Sequence, residues 1–227
     1  TADNLGESFY YTGTEEWCFC TPAGWDCDYS FPEPEDNEKI IFVASDTNKG
    51  NLTSYDTQNG DGIIGANNIC QDAADNAEQD IFHNKTFKAW VSGPAADGFP
   101  LVNAINNTEC SDSKSYVMYK DTDNDGQLEK VTLFNNCTEL LTNHDVEVKW
   151  TQKITTISDI IRTGTENNGS LADFNCDRFS SDCSSTAEYC RHNYSYRGND
   201  GFKSLVPSGG SSSGRCDNYY HLFCLEI

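Results

Sequence analysis

Apolar residues in this chain come in short runs between polar, glycine-rich stretches, and one stretch carries a clear helical period. The run Lys39-Ile-Ile-Phe-Val-Ala-Ser45 is rich in β-branched and aromatic residues, which predicts a buried strand. Beyond the turn-forming Asn59-Gly-Asp-Gly62, residues Ala66, Ile69, Cys70, Ala73, Ala74 and Ala77 recur at helical spacing. Asn68, Gln71, Asp72 and Asp75 fall on the opposite face, so the period predicts an amphipathic helix with Cys70 toward the core. Residues 87–92 read as a second strand, and 115–118 with 128–134 as a hairpin. Residues 146–150, 157–161 and 219–226 add further short strands.

Two regions depart from this pattern. Residues 1–37 form an arm dense in Trp and Cys (Trp17-Cys-Phe-Cys20, Trp25-Asp-Cys27), closed by Phe31-Pro-Glu-Pro-Glu-Asp-Asn37. Two prolines two apart disfavour both helix and sheet ladder, which makes this stretch a hinge before a domain spanning 38–227. Residues 163–217 are rich in Asn, Ser, Gly and Cys with little periodicity. So long an irregular region needs an external tie, and disulfides are the candidate.

Eleven cysteines exceed cytosolic usage and none forms a recognisable zinc pattern, so the composition points to an oxidising, extracytoplasmic compartment. Sequons at Asn51, Asn84, Asn106, Asn136, Asn168 and Asn193 agree with that, although an Asn- and Thr-rich chain produces several by composition alone. With only 15 basic residues and a net charge of -21, nucleic acid is not an expected partner. No apolar run is long enough for a membrane span. No signal peptide is visible, and Thr1 reads as the start of a processed chain.

The candidate chemistry is sparse. His83, His144, His192 and His221 are isolated, without a local nucleophile or metal-helix signature, and His221 reads as a strand residue satisfied by a hydrogen bond. Thirty-six carboxylates make any catalytic pair easy to invent, so the expectation is a non-enzymatic protein. The stretch Tyr119-Lys-Asp-Thr-Asp-Asn-Asp-Gly-Gln-Leu-Glu129 places acids at alternate positions ahead of a glycine, with Asp121, Asp123 and Asp125 as in the opening of a calcium loop. A complete loop needs a bidentate Glu at its twelfth position, which is Thr132. Two readings stay open: a plain hairpin tip with Asn124-Asp-Gly126 in the turn, or a partial calcium site using Asp121, Asp123, Asp125 and Glu129.

The strand at 40–44, the stretch Gly65-Ala-Asn-Asn-Ile-Cys-Gln-Asp-Ala-Ala74 and Phe87-Lys-Ala-Trp-Val-Ser92 together resemble the start of endostatin-like, C-type-lectin-like domains. Arg162-Thr-Gly-Thr165, Asn175-Cys176 and His221-Leu-Phe-Cys-Leu-Glu226 continue the resemblance. It implies an α+β fold, with a short twisted antiparallel sheet, one or two helices and a long disulfide-tied loop region, preceded by the arm. It also implies bridges Cys70–Cys224 and Cys176–Cys216. An inward helical Cys facing a buried terminal strand favours the first pair independently. Cys110 with Cys137, flanking the hairpin, and Cys183 with Cys190 are further candidates, leaving Cys18, Cys20 and Cys27 as an odd set with one thiol free or bonded to another chain. The calcium-dependent sugar motifs Glu-Pro-Asn or Gln-Pro-Asp and Trp-Asn-Asp are missing; the chain has Phe174-Asn-Cys-Asp177 where the last would fall.

The expected function is therefore a secreted or cell-surface glycoprotein for adhesion or assembly, in which the arm packs on or cross-links to another copy or another surface protein. The alternatives are a receptor module that holds a glycan or protein on the loop face at 163–217, and a hydrolase with a site built from distant residues. Calcium is the one cofactor the sequence suggests.

Overall fold

The computed structural model describes residues 8–11, 16–21, 24–26, 37–96, 98–121, 128–142, 150–156, 161–162, 165, 169–171, 176–180, 191–198, 201–203, 213–217 and 219–227, with strands before 37 and from 161 to 215 described as backbone. Near the N-terminus, β1 (Ser8–Tyr11), β2 (Glu16–Thr21) and β3 (Gly24–Asp26) form an antiparallel meander with Phe9 opposite Cys18 and Cys20 opposite Trp25. The chain then builds β4 (Glu38–Val43), α1 (Gly62–Asp75), β5 (Phe87–Ala89), α2 (Ala104–Asn107), β6 (Ser115–Lys120), β7 (Glu129–Phe134) and α3 (Cys137–Thr142). It ends with β8 (Ile161–Arg162), α4 (Cys176–Phe179), β9 (Arg191–Gly198), β10 (Gly201–Lys203), β11 (Ser213–Arg215) and β12 (His221–Glu226).

The last strand is the centre of the sheet. β12 pairs antiparallel with β4 on one edge, and on the other with β5 over its C-terminal half and, in parallel, with β8 over its N-terminal half. β4 continues in parallel to β6, and β6 turns back antiparallel to β7. All six residues of β12 are buried, because the sheet is covered on both faces. Ile40, Phe42, Ala44, Leu222 and Cys224 pack toward α1, where Phe42 meets Phe82 and Phe87 edge-on at 5.3 and 5.1 Å. Ile41, Val43, Phe223 and Leu225 alternate to the other face, against Trp90, Phe134 and Trp150.

Helix α1 starts where it does because Asp61 caps it, its Oδ1 accepting from the Ile63 N–H at 3.0 Å. Ala66, Ile69, Cys70 and Ala74 are buried on its core face. Its polar residues are not all solvent-facing: the Phe87 N–H donates to Gln71 and the Ala89 N–H to Asn67, so helix amides complete the edge of β5 that β12 does not reach. Asn107 joins them, donating to Asn67 and to the Ala89 carbonyl. Three disulfides tie these parts: Cys70–Cys224 from α1 to β12, Cys110–Cys137 at the start of α3, and Cys176–Cys216 from α4 to the turn after β11. Removing one such bond from a small domain typically costs about 2–5 kcal/mol.

The α+β class is observed, with three corrections of detail. The sheet is mixed rather than antiparallel, since β4 and β6 are joined by a crossover through α1 and β5, long enough to return the chain in the same direction. Among the described residues one long α-helix is accompanied by three short ones, in place of the expected one or two helices. Within the stretch expected to be irregular, β9 pairs with β8, β10 and β11; the alternation His192, Tyr194, Tyr196 in a polar sequence is a period of two. The strand expected at 146–150 lies outside the described residues except for Trp150, whose carbonyl accepts from Val43.

Candidate functional site

Beyond β4 the chain leaves the sheet through Ala44 to Asn48 and returns past Tyr55 toward α1. Between this loop, the C-terminal part of α1 and the turn at Gln152 and Lys153 lies a cleft of about 420 Å³, within the range of small-ligand sites. Its floor is apolar, formed by Ala44, Ile69 and Ala73. Asp46, Thr47, Tyr55, Asp72, Asn76 and Lys153 also line it. Tyr55 leaves 43% of its surface exposed, offering an aromatic face beside the cleft.

The polar walls differ in how far the protein satisfies them. Gln152 Oε1 accepts from the Ser45 N–H and its Nε2 donates to Ser45 Oγ, both at 3.0 Å, which fixes the turn against the loop. Asn76 Nδ2 donates to the Asp72 carbonyl at 2.7 Å and terminates the helix. Asn48 is held by its backbone, exchanging both hydrogen bonds with Tyr220 at 2.8 and 3.0 Å. Its side chain is buried, and Nδ2 has no acceptor in the protein.

A second polar cluster sits at the other end of α1. Arg178 donates from Nε and Nη2 to the two oxygens of Asp61, each at 2.9 Å, and from Nη1 to the carbonyls of Pro94 and Pro100. Both members of the pair are about 4% exposed. Arg178 lies in α4, whose backbone is left-handed at Cys176, Arg178 and Phe179. That conformation costs a non-glycine residue about 1–2 kcal/mol and persists only where its surroundings hold it. Here the Cys176–Cys216 bond, the Asp61 pair and fully buried Phe179 do so. Gly62 lets the helix approach closely, since a Cβ there would stand 2.3 Å from the Phe179 carbonyl oxygen. Asp56 completes the loop: its carboxylate accepts from the Asp61, Gln58 and Asn59 N–H groups, which holds its pKa below the usual carboxylate range.

The residues singled out in the sequence are scattered. Asp121 follows β6 half-buried, Glu129 pairs with Lys120 at 2.8 Å across the hairpin, and Thr132 lies in β7 opposite Val117. Asp123 and Asp125 lie outside the described residues, as do Cys27, Cys183, Cys190 and Asn168. Cys18 and Cys20 lie in β2 and Asn193 in β9. Asn51, Asn84 and Asn106 are exposed; Asn136 is half-buried and accepts from the Glu139 N–H at 2.7 Å, ahead of α3. His221 is buried, its Nδ1 donating to the Ala44 carbonyl at 2.7 Å. None of the described residues among them lines the cleft, and sequence reasoning passed over Asn48 because a lone Asn in a polar loop reads as a turn residue.

No family model matches the chain. A stretch of 168 residues, 70% of this chain, is 22% identical to a vacuolar protein sorting/targeting protein 10 of Talaromyces marneffei. The stretch spans 11% of that protein's length. No helix among the described residues is long and apolar enough to cross a membrane.

Proposed function

We propose that the protein is a secreted or cell-surface, non-enzymatic adhesion module that holds a carbohydrate in the cleft between the loop at 44–48 and α1. The observation that carries this reading is the combination in one cleft of an apolar floor, an exposed aromatic ring and a buried amide without a partner. Sugars need these elements together, since their C–H faces pack on apolar or aromatic surface while their hydroxyls require directed donors and acceptors. The disulfides support an oxidising compartment. The bonds Cys70–Cys224 and Cys176–Cys216 also support assignment to the endostatin-like, C-type-lectin-like domains, although no described residue of the loop face at 163–217 lines the cleft. A glycan array probed with the intact chain, in calcium and in chelator, tests it. Binding by the native protein that Ala73→Arg abolishes is the expected result, and a blank array under both conditions overturns it.

Assembly is a second reading. Strands β1, β2 and β3 form a separate sheet and, among the described residues, pair only with one another, which supports strand pairing with a second copy. Light scattering of the intact chain showing a strict monomer across concentration overturns it.

A further inference from the structure

Polar residues lining the cleft divide by whether the protein already uses their side chains. Gln152 both donates and accepts within the wall and Asn76 Nδ2 donates there, whereas Asn48, 7% exposed, has an Nδ2 with no acceptor. A buried amide left in that state costs about 1–3 kcal/mol, which a bound acceptor offsets. The identity of that acceptor follows from its neighbours. Asp46 and Asp72 line the same cleft against one cation, Lys153, and the chain carries a net charge of -21, so an anionic ligand meets net repulsion both locally and at long range. Carboxylates want donors while Asn48 Nδ2 wants an acceptor, and a hydroxyl group is both. Adjacent hydroxyls on one ring supply the two roles at neighbouring positions, with the C–H face of the ring left for Ala44, Ile69 and Ala73.

We infer that Asn48 is the specificity-determining donor of the cleft, and that the ligand is an uncharged sugar presenting a hydroxyl oxygen to Asn48 Nδ2 and hydroxyl hydrogens to Asp46 and Asp72. This rests on the reading of the cleft as a carbohydrate site. Asp46 and Asp72 reject acidic sugars, so selectivity comes from repulsion as well as from the hydrogen bond.

The test is titration of the intact, isotope-labelled protein with methyl glycosides of glucose, galactose and mannose, and in parallel with glucuronate and sialic acid. Backbone resonances of Ala44, Ile69 and Ala73 report occupancy of the cleft, and the side-chain amide of Asn48 reports its own hydrogen bond. At least one neutral glycoside should shift both sets, with acidic sugars binding about tenfold or more weakly. Asn48→Ala should weaken the neutral ligand by about tenfold, the scale of one directed hydrogen bond. Asp72→Asn should narrow the gap between neutral and acidic sugars, and it carries the test if Asn48→Ala does not fold. Neutral glycosides that occupy the cleft but bind Asn48→Ala within twofold overturn the role of Asn48 and leave the carbohydrate reading standing. Acidic sugars that bind as well as neutral ones overturn the ligand class. If no sugar shifts the cleft resonances, both readings fall.

Discussion

The two ends of helix α1 treat buried polar groups in opposite ways. At the N-terminal end, both oxygens of Asp61 accept from Arg178, Oδ1 also caps the helix, and the Asp61 N–H donates to Asp56. At the C-terminal end, Asn48 is buried against the cleft with its amide nitrogen unmatched. The same connection from β4 to α1 carries both, so the contrast is not one of a rigid region against a loose one. A saturated network specifies geometry: it holds a left-handed turn that no propensity would favour and seats it against Gly62. An unsaturated group in a cleft specifies a partner, because its cost is removed only by something that binds.

The largest expected effect is therefore at the saturated end. Arg178→Ala leaves the Asp61 carboxylate buried without its cation and removes two ties to the 94–100 segment. Loss of one member of a buried ion pair costs about 3–5 kcal/mol, so chemical denaturation should show a drop of that size. The left-handed turn at Cys176 to Phe179 should loosen with it, read as faster amide exchange at Leu52, whose N–H donates to the Phe179 carbonyl. A change below about 1 kcal/mol breaks the comparison, because the network would then be no more than a surface pair in value.

What could be read from the sequence follows from what is periodic. The core face of α1 and the burial of β12 rest on spacing, which survives any topology, and so did the placement of Cys70 toward the core. The parallel pairing of β4 with β6 depends on the path of the chain between them, which spacing does not encode. Gln71 looked solvent-facing because it is polar, but a helix packed on a strand edge has unpaired N–H groups to satisfy, and a polar side chain is what does so. Arg178 and Asp61 are 117 residues apart and follow no shared period, and α4 reads in the sequence as a cysteine-containing loop. The cleft was illegible for the same reason. Asn48 meets Tyr220 only in the folded sheet, and that its amide lacks an acceptor is a property of three-dimensional surroundings rather than of residue type.

The smallest effect sharpens the comparison most. Removing the Asn48 side chain in the ligand-free protein breaks no side-chain hydrogen bond from Nδ2 and leaves the backbone bridge to Tyr220 intact. Asn48→Ala should destabilise the ligand-free protein by no more than about 0.5 kcal/mol, and relief of the unmatched amide shifts the balance toward the variant. The measurement is the denaturation midpoint of Asn48→Ala beside that of Arg178→Ala under one set of conditions. Stability loss at Asn48 comparable to that at Arg178 would mean that the amide is held by the fold after all, and that both ends of α1 serve structure. A near-neutral Asn48 beside a costly Arg178 separates them: one buried polar group holds the protein together, and the other is kept at the expense of stability for what it binds.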